Sequence, residues 1–454
     1  MDAGQHQRAL FRWTQKREGI IAPDERLPWP QTLAVGAQHI FAMFGATVLA
    51  PILMGFDANT AILFSGIGTL IFFVVVSGRV PSYLGSSFSF IAVVIAATAY
   101  SGSGPNANLS VALGGIIAAG ALYAAIGVAV MFVGYRWIET LMPPVVTGSV
   151  VAVIGLNLAP VAIASLTPAE GRQFATFVGL LTVLAVAGVA VYAPGMLRRL
   201  PILVGGVIGY VAYFAFANGM GWGIPIDFTA VANAAWIGAP NLTAPTFEFD
   251  AMALIAPVAI ILVAENLGHV KAVAAMTGRN LDPYLGRAFL GDGIATMVAG
   301  AGGGTGVTTY AENIGVMAVT KIYSSLVFVI AAFVAIALGF SPKFGALIGT
   351  IPGPVLGGLS IVLFGLIAAT GARIWVQNRV DFAQSRNLIT AAVALTLGAG
   401  NLGIQVGDFE LGGIGTATFA AILIYQLLRG PMTVDQAEPE PAPEATAEVA
   451  RIPA

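Results

Sequence analysis

Long apolar stretches alternate with short polar or glycine- and proline-rich breaks along most of the chain. A membrane-spanning helix needs about 20 apolar residues, and division at these breaks gives about fourteen candidate spans. They lie at 31–52, 58–77, 84–100, 109–134, 142–164, 173–194, 200–218, 249–270, 284–300, 308–320, 321–340, 350–371, 387–400 and 411–429. The pattern predicts an all-α polytopic membrane protein.

Composition narrows the function classes. Of the 454 residues, 57% are hydrophobic and only 9% are charged, whereas a soluble domain carries about 25% charged residues. The chain has no cysteine, and its three histidines form no metal-binding motif. No nucleophile–base set or cofactor motif is visible either. We therefore expect no metal, no cofactor, no enzymatic activity and no nucleic-acid partner, with membrane lipid as the surroundings.

The basic residues indicate an orientation. If the N-terminus is cytoplasmic and the spans alternate, all of the 20 Lys and Arg residues except Arg172 and Lys343 fall inside. The positive-inside rule describes this bias. Residues 1–30 are polar and show no cleavable signal peptide, and the Pro/Ala/Glu-rich residues 431–454 predict a disordered cytoplasmic tail. We expect a multi-pass protein of the inner cell membrane with both termini in the cytoplasm.

An internal repeat relates the two halves. The stretch PVVTGSVVAVIG at 144–155 is similar to PVLGGLSIVLFG at 354–365. Seven spans per half is an odd number, so the halves would enter the membrane from opposite sides, as in many secondary transporters. The alternative is that Pro and Gly recur by chance in apolar helices. If the repeat is real, it predicts a matched pair of broken segments.

Such a pair is visible in the sequence. Residues 78–90 read GRVPSYLGSSFSF, and residues 299–313 read AGAGGGTGVTTYAEN. Neither stretch suits a continuous helix, and irregular backbone at membrane depth occurs only where it is buried in protein or lines a cavity. Corresponding interruptions in two halves are the best sequence indication of a midplane substrate site.

Two glutamates lie deep in apolar surroundings. Glu265 is followed at i+4 by His269, which places both on one helix face, and Glu312 follows the glycine-rich break. A carboxylate at membrane depth must be paired, protonated or functional. Glu265 and His269 could share a proton, or they could form a structural pair near the cytoplasmic end. Glu312 could bind a ligand or cap the next helix.

Further polar and aromatic residues extend the candidate set. Gln38 and His39 form an intramembrane pair that could also serve helix–helix hydrogen bonding. Tyr310 and Phe88 could stack on a flat ring or simply pack. Three aspartates near predicted cytoplasmic ends are expected to be solvated, namely Asp282, Asp292 and Asp381.

The chemistry of this set suits a small, neutral, polar solute. A carboxylate accepts N–H donors and, when protonated, also donates to a carbonyl. An imide ring, with N–H beside C=O, offers the complementary edge. An anion would instead require a cation or an uncapped helix N-terminus, where Glu312 stands.

Several motifs resemble those of the nucleobase–ascorbate transporter family. ENIGVMAVTK at 312–321 fits the family signature, and QH at 38–39 and AENLGHVKAV at 264–273 fit its first and eighth spans. YLGSSFSF at 83–90 is similar to the third span of uracil-transporting members. The resemblance covers about residues 20–430, and it is strongest to pyrimidine-transporting members.

The resemblance implies a fold of fourteen spans in two inverted repeats of seven. Spans 3 and 10 would be broken by short antiparallel strands. A core domain would comprise spans 1–4 (31–134) and 8–11 (249–340), and a gate domain spans 5–7 (142–218) and 12–14 (350–429). Residues 1–30 would form a cytoplasmic N-terminal segment, and the protein would be a homodimer.

The resemblance also implies roles for individual residues. Glu265 and Glu312 would hold the pyrimidine, with backbone groups at Phe88 and Ala311, and His269 would support Glu265 and proton coupling. The remaining expected contributors are Ser87 and Tyr310 at the substrate and Gln38, His39, Thr308 and Asn313 in a supporting polar network. Ala311 and Phe364 depart from the uracil-type pattern, which has Gly and Tyr there, and this affects substrate range.

The function expected from all this is import of uracil, with thymine and xanthine as further candidates, by proton symport and alternating access. Family members couple transport to protons or sodium ions. The alternatives are a purine symporter for xanthine or urate, and an anion exchanger or channel of the same fold. Two pocket carboxylates oppose the anion alternative.

Overall fold

The computed structural model describes residues 12–100, 104–168, 170–195, 197–406 and 409–428. The helices of the first half are α1 (Trp29–Met54), α2 (Ala58–Val75), α3 (Ile91–Thr98), α4 (Leu109–Val133), α5 (Arg136–Leu141), α6 (Pro144–Asn157), α7 (Ala159–Leu166), α8 (Arg172–Tyr192), α9 (Pro201–Phe214) and α10 (Thr229–Asn233). Those of the second half are α11 (Phe249–Ile255), α12 (Val258–Thr277), α13 (Leu285–Gly302), α14 (Ala311–Thr320), α15 (Ser325–Gly339), α16 (Pro342–Gly349), α17 (Gly353–Gln377), α18 (Ser385–Ala399) and α19 (Gly413–Leu427).

Six short strands form three separate pairs. The strands are β1 (Thr14–Gln15), β2 (Glu25–Arg26), β3 (Leu84–Ser86), β4 (Val307–Thr309), β5 (Ile404–Val406) and β6 (Phe409–Leu411). The pair β1–β2 is parallel, and the pairs β3–β4 and β5–β6 are antiparallel. Because every described strand has only two or three residues, the helices carry the architecture.

The helices are those of a multi-pass membrane protein. Among the described residues, eight helices are long and apolar enough to cross a membrane, or nine if α15 and α16, bent by 84° at their junction, count as one span. Each of the fourteen predicted segments overlaps a helix, but 84–100 and 308–320 begin with a strand and contain only a short one. These helices confirm the predicted class, a mainly α-helical membrane protein with several spans.

Large apolar side chains cover much of the outer surface. Phe132 is 86% exposed, Tyr192 85% and Leu184 68%. In water such a surface would be a liability, but lipid tails are as apolar as the side chains themselves. Exposed apolar faces such as those of α4 and α8 are therefore typical of a membrane protein.

The helices pack in two groups. In one group α13 lies against α4 and α2, and α15 lies against α2 and α1; in the other α17 lies against α6, α7 and α8, and α18 lies against α19 and α6. Glycines allow the closest approach, because a Cβ at Gly293 would lie 2.5 Å from Ala124 N. Small residues serve membrane helix contacts in this way.

The two glycine- and proline-rich breaks pair with each other. Strand β3 runs antiparallel to β4 with Gly85 opposite Thr308, and Ser87 N–H extends the ladder by donating to Gly306 O at 2.9 Å. Both strands are fully buried. Each strand thus satisfies the backbone groups of the other, which allows irregular chain deep in the protein. A 3₁₀ turn (Phe88–Phe90) and α3 follow β3, and α14 follows β4.

Part of the N-terminal segment forms a strap, residues 12–28, against the helix ends. Trp13 Nε1 donates to Ser325 Oγ at 3.1 Å, and the fully buried Ile21 bridges to Ile322. Asp24 forms an ion pair with Arg279. Partial burial of Asp24 tends to raise the pKa of its carboxyl group. The hydrogen bond and charge of the Arg279 guanidinium outweigh this burial and hold that pKa below its usual value. Residues 1–11 and the predicted tail 431–454 lie outside the described residues.

Gly85→Ala should destabilise the protein. A Cβ at this position would lie 2.5 Å from the Tyr310 ring and 2.6 Å from Thr47 Oγ1, and overpacking of this kind costs about 1–3 kcal/mol. The apparent Tm of the detergent-purified protein at a fixed heating rate measures the effect. The control is Gly188→Ala, whose Cβ would have no neighbour within 4 Å. Equal Tm values for both variants would contradict the close packing of Tyr310 on β3.

Candidate functional site

The two glutamates predicted from the sequence lie near each other. Glu265 is in the middle of α12, and Glu312 is the second residue of α14, directly after β4. Their carboxyl groups interact electrostatically, although the residues are far apart in sequence. Glu265 Oε2 is buried and has no hydrogen-bond partner among the described residues. The fold therefore gathers two acidic groups beside the β3–β4 pair.

The 3₁₀ turn after β3 forms an adjoining wall of the site. Ser87, 1% exposed, caps the start of the turn and accepts a hydrogen bond from Ser89 N–H at 3.3 Å. Phe88 meets Phe364 of α17 edge-on, with the ring centroids 5.8 Å apart. The Ser89 side chain interacts with the Glu265 carboxyl group. Elements from both packing groups thus meet at this wall, because α17 belongs to the group around α6.

His269 is oriented by β4. Its Nδ1 lies 2.9 Å from Thr309 Oγ1, a residue that the sequence analysis did not select. His269 and Glu265 share a face of α12, one turn apart, as predicted from their spacing. The second ring nitrogen, Nε2, is the one left to act toward other groups. The contact with Thr309 becomes visible only when the position of β4 beside α12 is known, because nothing in the sequence relates Thr309 to His269.

His39 and Asn313 are directly joined. Asn313 Nδ2 lies 3.0 Å from His39 Nδ1 and donates to His39 O at 3.1 Å. The His39 ring is fully buried against Phe328, with the centroids 4.6 Å apart. Gln38 is also buried, and its Nε2 has no partner among the described residues. His39 and Asn313, two of the four residues expected in a supporting polar network, are therefore hydrogen-bonded to each other between α1 and α14.

Tyr310 packs behind the strands. It is 3% exposed, its hydroxyl donates to Ser86 O at 2.7 Å, and it accepts from Thr47 Oγ1 at 3.3 Å. This geometry favours the packing alternative over stacking on a ligand. Thr308, 1% exposed, has an Oγ1 with no partner among the described residues. Ala311 is the first residue of α14, where a backbone N–H lacks a helical partner.

Asp292 was predicted to be solvated, and this is wrong. It is fully buried two turns inside α13 and accepts from Asn266 Nδ2 at 2.7 Å and from Tyr123 OH at 3.5 Å. Its carboxyl group also interacts electrostatically with Glu265. In the sequence, the glycines on either side of Asp292 look like the end of a helix near the membrane surface. In the structure, Gly291 and Gly293 instead allow α13 to pack closely against α2 and α4.

The other two aspartates lie nearer the surface. Asp282 is half-buried and accepts from Lys271 Nζ at 2.6 Å and from Tyr135 OH at 2.7 Å. Asp381 is exposed, as predicted. Asp292 is thus the acidic residue that the sequence analysis missed. The only signal that could have found it is its position within an otherwise uncharged 288–311 stretch.

Two apolar cavities include neither of the two glutamates. One of about 410 Å³ is lined by Phe174, Phe177 and Trp222. The other, of about 160 Å³, lies between α6–α7 and α17 and includes Phe364. Their walls contain exposed apolar residues, which fits grooves facing lipid. Among the described residues, no group of three or more His, Asp or Glu side chains could hold a metal ion.

Comparison with known proteins decides the family. A family model described as a permease family matches residues 30–406. The chain belongs to this permease family. Its membership agrees with the resemblance to nucleobase–ascorbate transporters and places it among membrane permeases rather than enzymes.

The similar proteins carry related names. RutG of Escherichia coli (strain K12), named as a pyrimidine permease, is 61% identical over 427 residues, which are 94% of this chain and 96% of RutG. The uracil permease of Bacillus caldolyticus is 41% identical over 412 residues, 88% of this chain and 92% of that protein. The uracil permease of E. coli (strain K12) is 40% identical over 418 residues, 90% of this chain and 94% of that protein.

Solved structures of other transporters share the fold. The transmembrane domain of the cyanobacterial bicarbonate transporter BicA matches with a TM-score of 0.60 at 17% identity, covering 87% of this chain and 97% of that one. SLC26A9 matches with a TM-score of 0.62 at 14% identity, covering 88% of this chain and 65% of that longer one. At these identities the likeness concerns the fold alone.

Asp292→Ala should destabilise this permease. The substitution removes the 2.7 Å acceptor of the fully buried Asn266 Nδ2, which keeps only Tyr123 OH at 2.9 Å. A buried N–H that is left without an acceptor costs about 1–3 kcal/mol. The apparent Tm in detergent is the measurement. Asp250→Ala, at an exposed aspartate, is the control and should leave Tm nearly unchanged. A Tm for Asp292→Ala as high as that of the control would contradict the network.

Proposed function

We propose that the chain is a secondary active transporter that imports uracil by proton symport with alternating access. Thymine and xanthine are further candidate substrates. The observation that carries the proposal is the meeting of Glu265 on α12 and Glu312 on α14 beside the paired strands. The names of the similar permeases support a pyrimidine as the cargo.

Recognition of the ring would use acceptors and donors together. The carboxyl groups of Glu265 and Glu312 accept ring N–H groups. Phe88 and Ala311 begin the 3₁₀ turn and α14, so their backbone N–H groups need partners outside the helix and can donate to ring carbonyls. Ser87 caps the start of the turn that Phe88 begins. Tyr310 would support the strands from behind, and Thr308 would support β4.

Proton coupling would involve Glu265 and His269. A carboxyl group and an imidazole lie one turn apart on α12, and both are groups whose protonation responds to burial and to each other. Thr309 would fix the orientation of the imidazole. Gln38, His39 and Asn313 would hold α1 against α14 while the ligand and the proton are exchanged.

We further propose fourteen spans in two inverted repeats of seven. The repeat motif supports this, since Pro144 and Pro354 both stand in the first turn of their helices, α6 and α17. The core domain (31–134 and 249–340) would move against the gate domain (142–218 and 350–429). Residues 1–30 and the tail 431–454 would be cytoplasmic, in a homodimer of the inner membrane.

Two other functions are alternatives to this proposal. Xanthine or urate transport would use the same site, and strong competition by xanthine with none by uracil would favour it. Anion exchange is the second alternative, because a fold relative, BicA, is named as a bicarbonate transporter. Two carboxyl groups at the site would repel an anion, and chloride- or sulfate-dependent flux would be its signature.

Uptake of labelled uracil by cells that lack their own uracil permeases should depend on an inward proton gradient. The expected result is accumulation that rises as the external pH is lowered, because each imported base brings a proton with it. A protonophore should abolish the accumulation. Uptake that persists unchanged with the protonophore would contradict proton coupling, and uptake restored by sodium would favour a sodium symporter.

Glu312→Gln should weaken uracil binding. The amide keeps the shape but loses the charge, and a hydrogen bond to a charged group contributes about 1.5–3 kcal/mol, or roughly a 10- to 100-fold change in Kd. Isothermal titration of the purified protein measures this. Glu170→Gln, in an exposed loop, is the matched control. An unchanged Kd for Glu312→Gln would contradict its place in the pocket.

A further inference from the structure

Among the buried polar atoms near the strand pair that have no hydrogen-bond partner in the described residues, two belong to neighbouring side chains. They are Ser89 Oγ and Glu265 Oε2. Ser89 is 1% exposed, and its side chain interacts with the Glu265 carboxyl group, yet no hydrogen bond of standard geometry joins them. Buried polar atoms are normally paired. Two unpaired polar atoms on neighbouring side chains therefore indicate a third group that both can contact.

The position of Ser89 explains why its hydroxyl is free for a ligand. Buried serines within helices bond to their own helix, as Ser149 Oγ does to Val145 O and Ser360 Oγ to Leu356 O, both at 2.7 Å. Ser89 lies in the 3₁₀ turn directly after β3. The carbonyl four residues earlier belongs to Gly85, whose backbone is in the β3–β4 ladder rather than in a helix. No helical acceptor is available to the Ser89 hydroxyl.

We infer that Ser89 is a specificity-determining residue that contacts the substrate together with Glu265. A hydroxyl that donates, next to a carboxylate that accepts, is complementary to an edge where N–H stands beside C=O. Glu265 would accept from the ring N–H, and Ser89 would donate to the adjacent ring carbonyl. This inference rests on the proposed function, because it assumes that a base with such a lactam edge is bound at Glu265.

The arrangement also predicts what the site rejects. A ring that presents two acceptors, or an N–H without a neighbouring carbonyl, would leave Ser89 or Glu265 unpaired when it excludes solvent. Sites that hydrogen-bond a substrate group discriminate strongly against analogues that lack it, since their own buried polar groups are then unsatisfied. Ser89 would thus select for the lactam edge, whereas Glu265 alone would select only for an N–H donor.

Titrations of three bases into the purified full-length protein test the inference. Uracil, 2-thiouracil and 4-thiouracil are each titrated into the wild type, Ser89→Ala, Ser89→Cys and the control Ser360→Ala. Loss of the hydrogen bond should raise the uracil Kd of Ser89→Ala about tenfold. Ser89→Cys keeps a weak S–H donor and should fall between Ser89→Ala and the wild type. Ser360→Ala should bind uracil as the wild type does.

The thio analogues separate contact from structure. Sulfur accepts hydrogen bonds more weakly than oxygen, so the analogue altered at the carbonyl that Ser89 contacts should bind the wild type more weakly than uracil. In Ser89→Ala that difference should disappear. An unchanged uracil Kd in Ser89→Ala, or an equal loss for all three bases, would overturn the inference. A wild type that binds none of the three bases would instead refute the proposed function.

Discussion

Backbone hydrogen bonding in a region without water is the constraint on which this structure depends. The chain interrupts two helices deep inside the protein, and each interruption would be prohibitively costly alone. Strands β3 and β4 remove that cost by pairing with each other over three residues. The pairing fixes where the 3₁₀ turn (Phe88–Phe90) and α14 begin, and therefore where Ser89 and Glu312 lie. The acidic groups, the hydroxyls and the free N–H groups all follow from this one contact.

The pairing also explains why so many small residues surround it. Gly85 and Gly306 leave no room for side chains, since a Cβ at Gly306 would meet the Phe90 ring. Tyr310 fills the space behind β3 and ties its hydroxyl to the strand. The rings of Phe90 and Tyr310 are themselves buried. Their close packing against the glycines therefore holds the strand pair in place.

Much of this could be predicted from the sequence, and the failures have physical reasons. Hydrophobic length located the helices, because the membrane imposes one thickness on all of them. Glu265 and Glu312 could be selected because an acidic residue in an apolar membrane segment is energetically costly, and it is therefore usually paired, protonated or functional. Asp292 was missed because the flanking glycines resemble a helix end, whereas their purpose is close contact with α2 and α4. Thr309 and Ser89 were missed because their importance comes from partners distant in sequence.

The strap at residues 12–28 has a consequence for how the protein is made. Trp13 bonds to Ser325, 312 residues later in the chain, and Ile21 bridges to Ile322. A ribosome adds about 5–20 residues per second, so the strap must wait for many seconds before its partners emerge. Its docking is thus a late step of biogenesis. A docked strap would report that α14 and α15 have already been inserted.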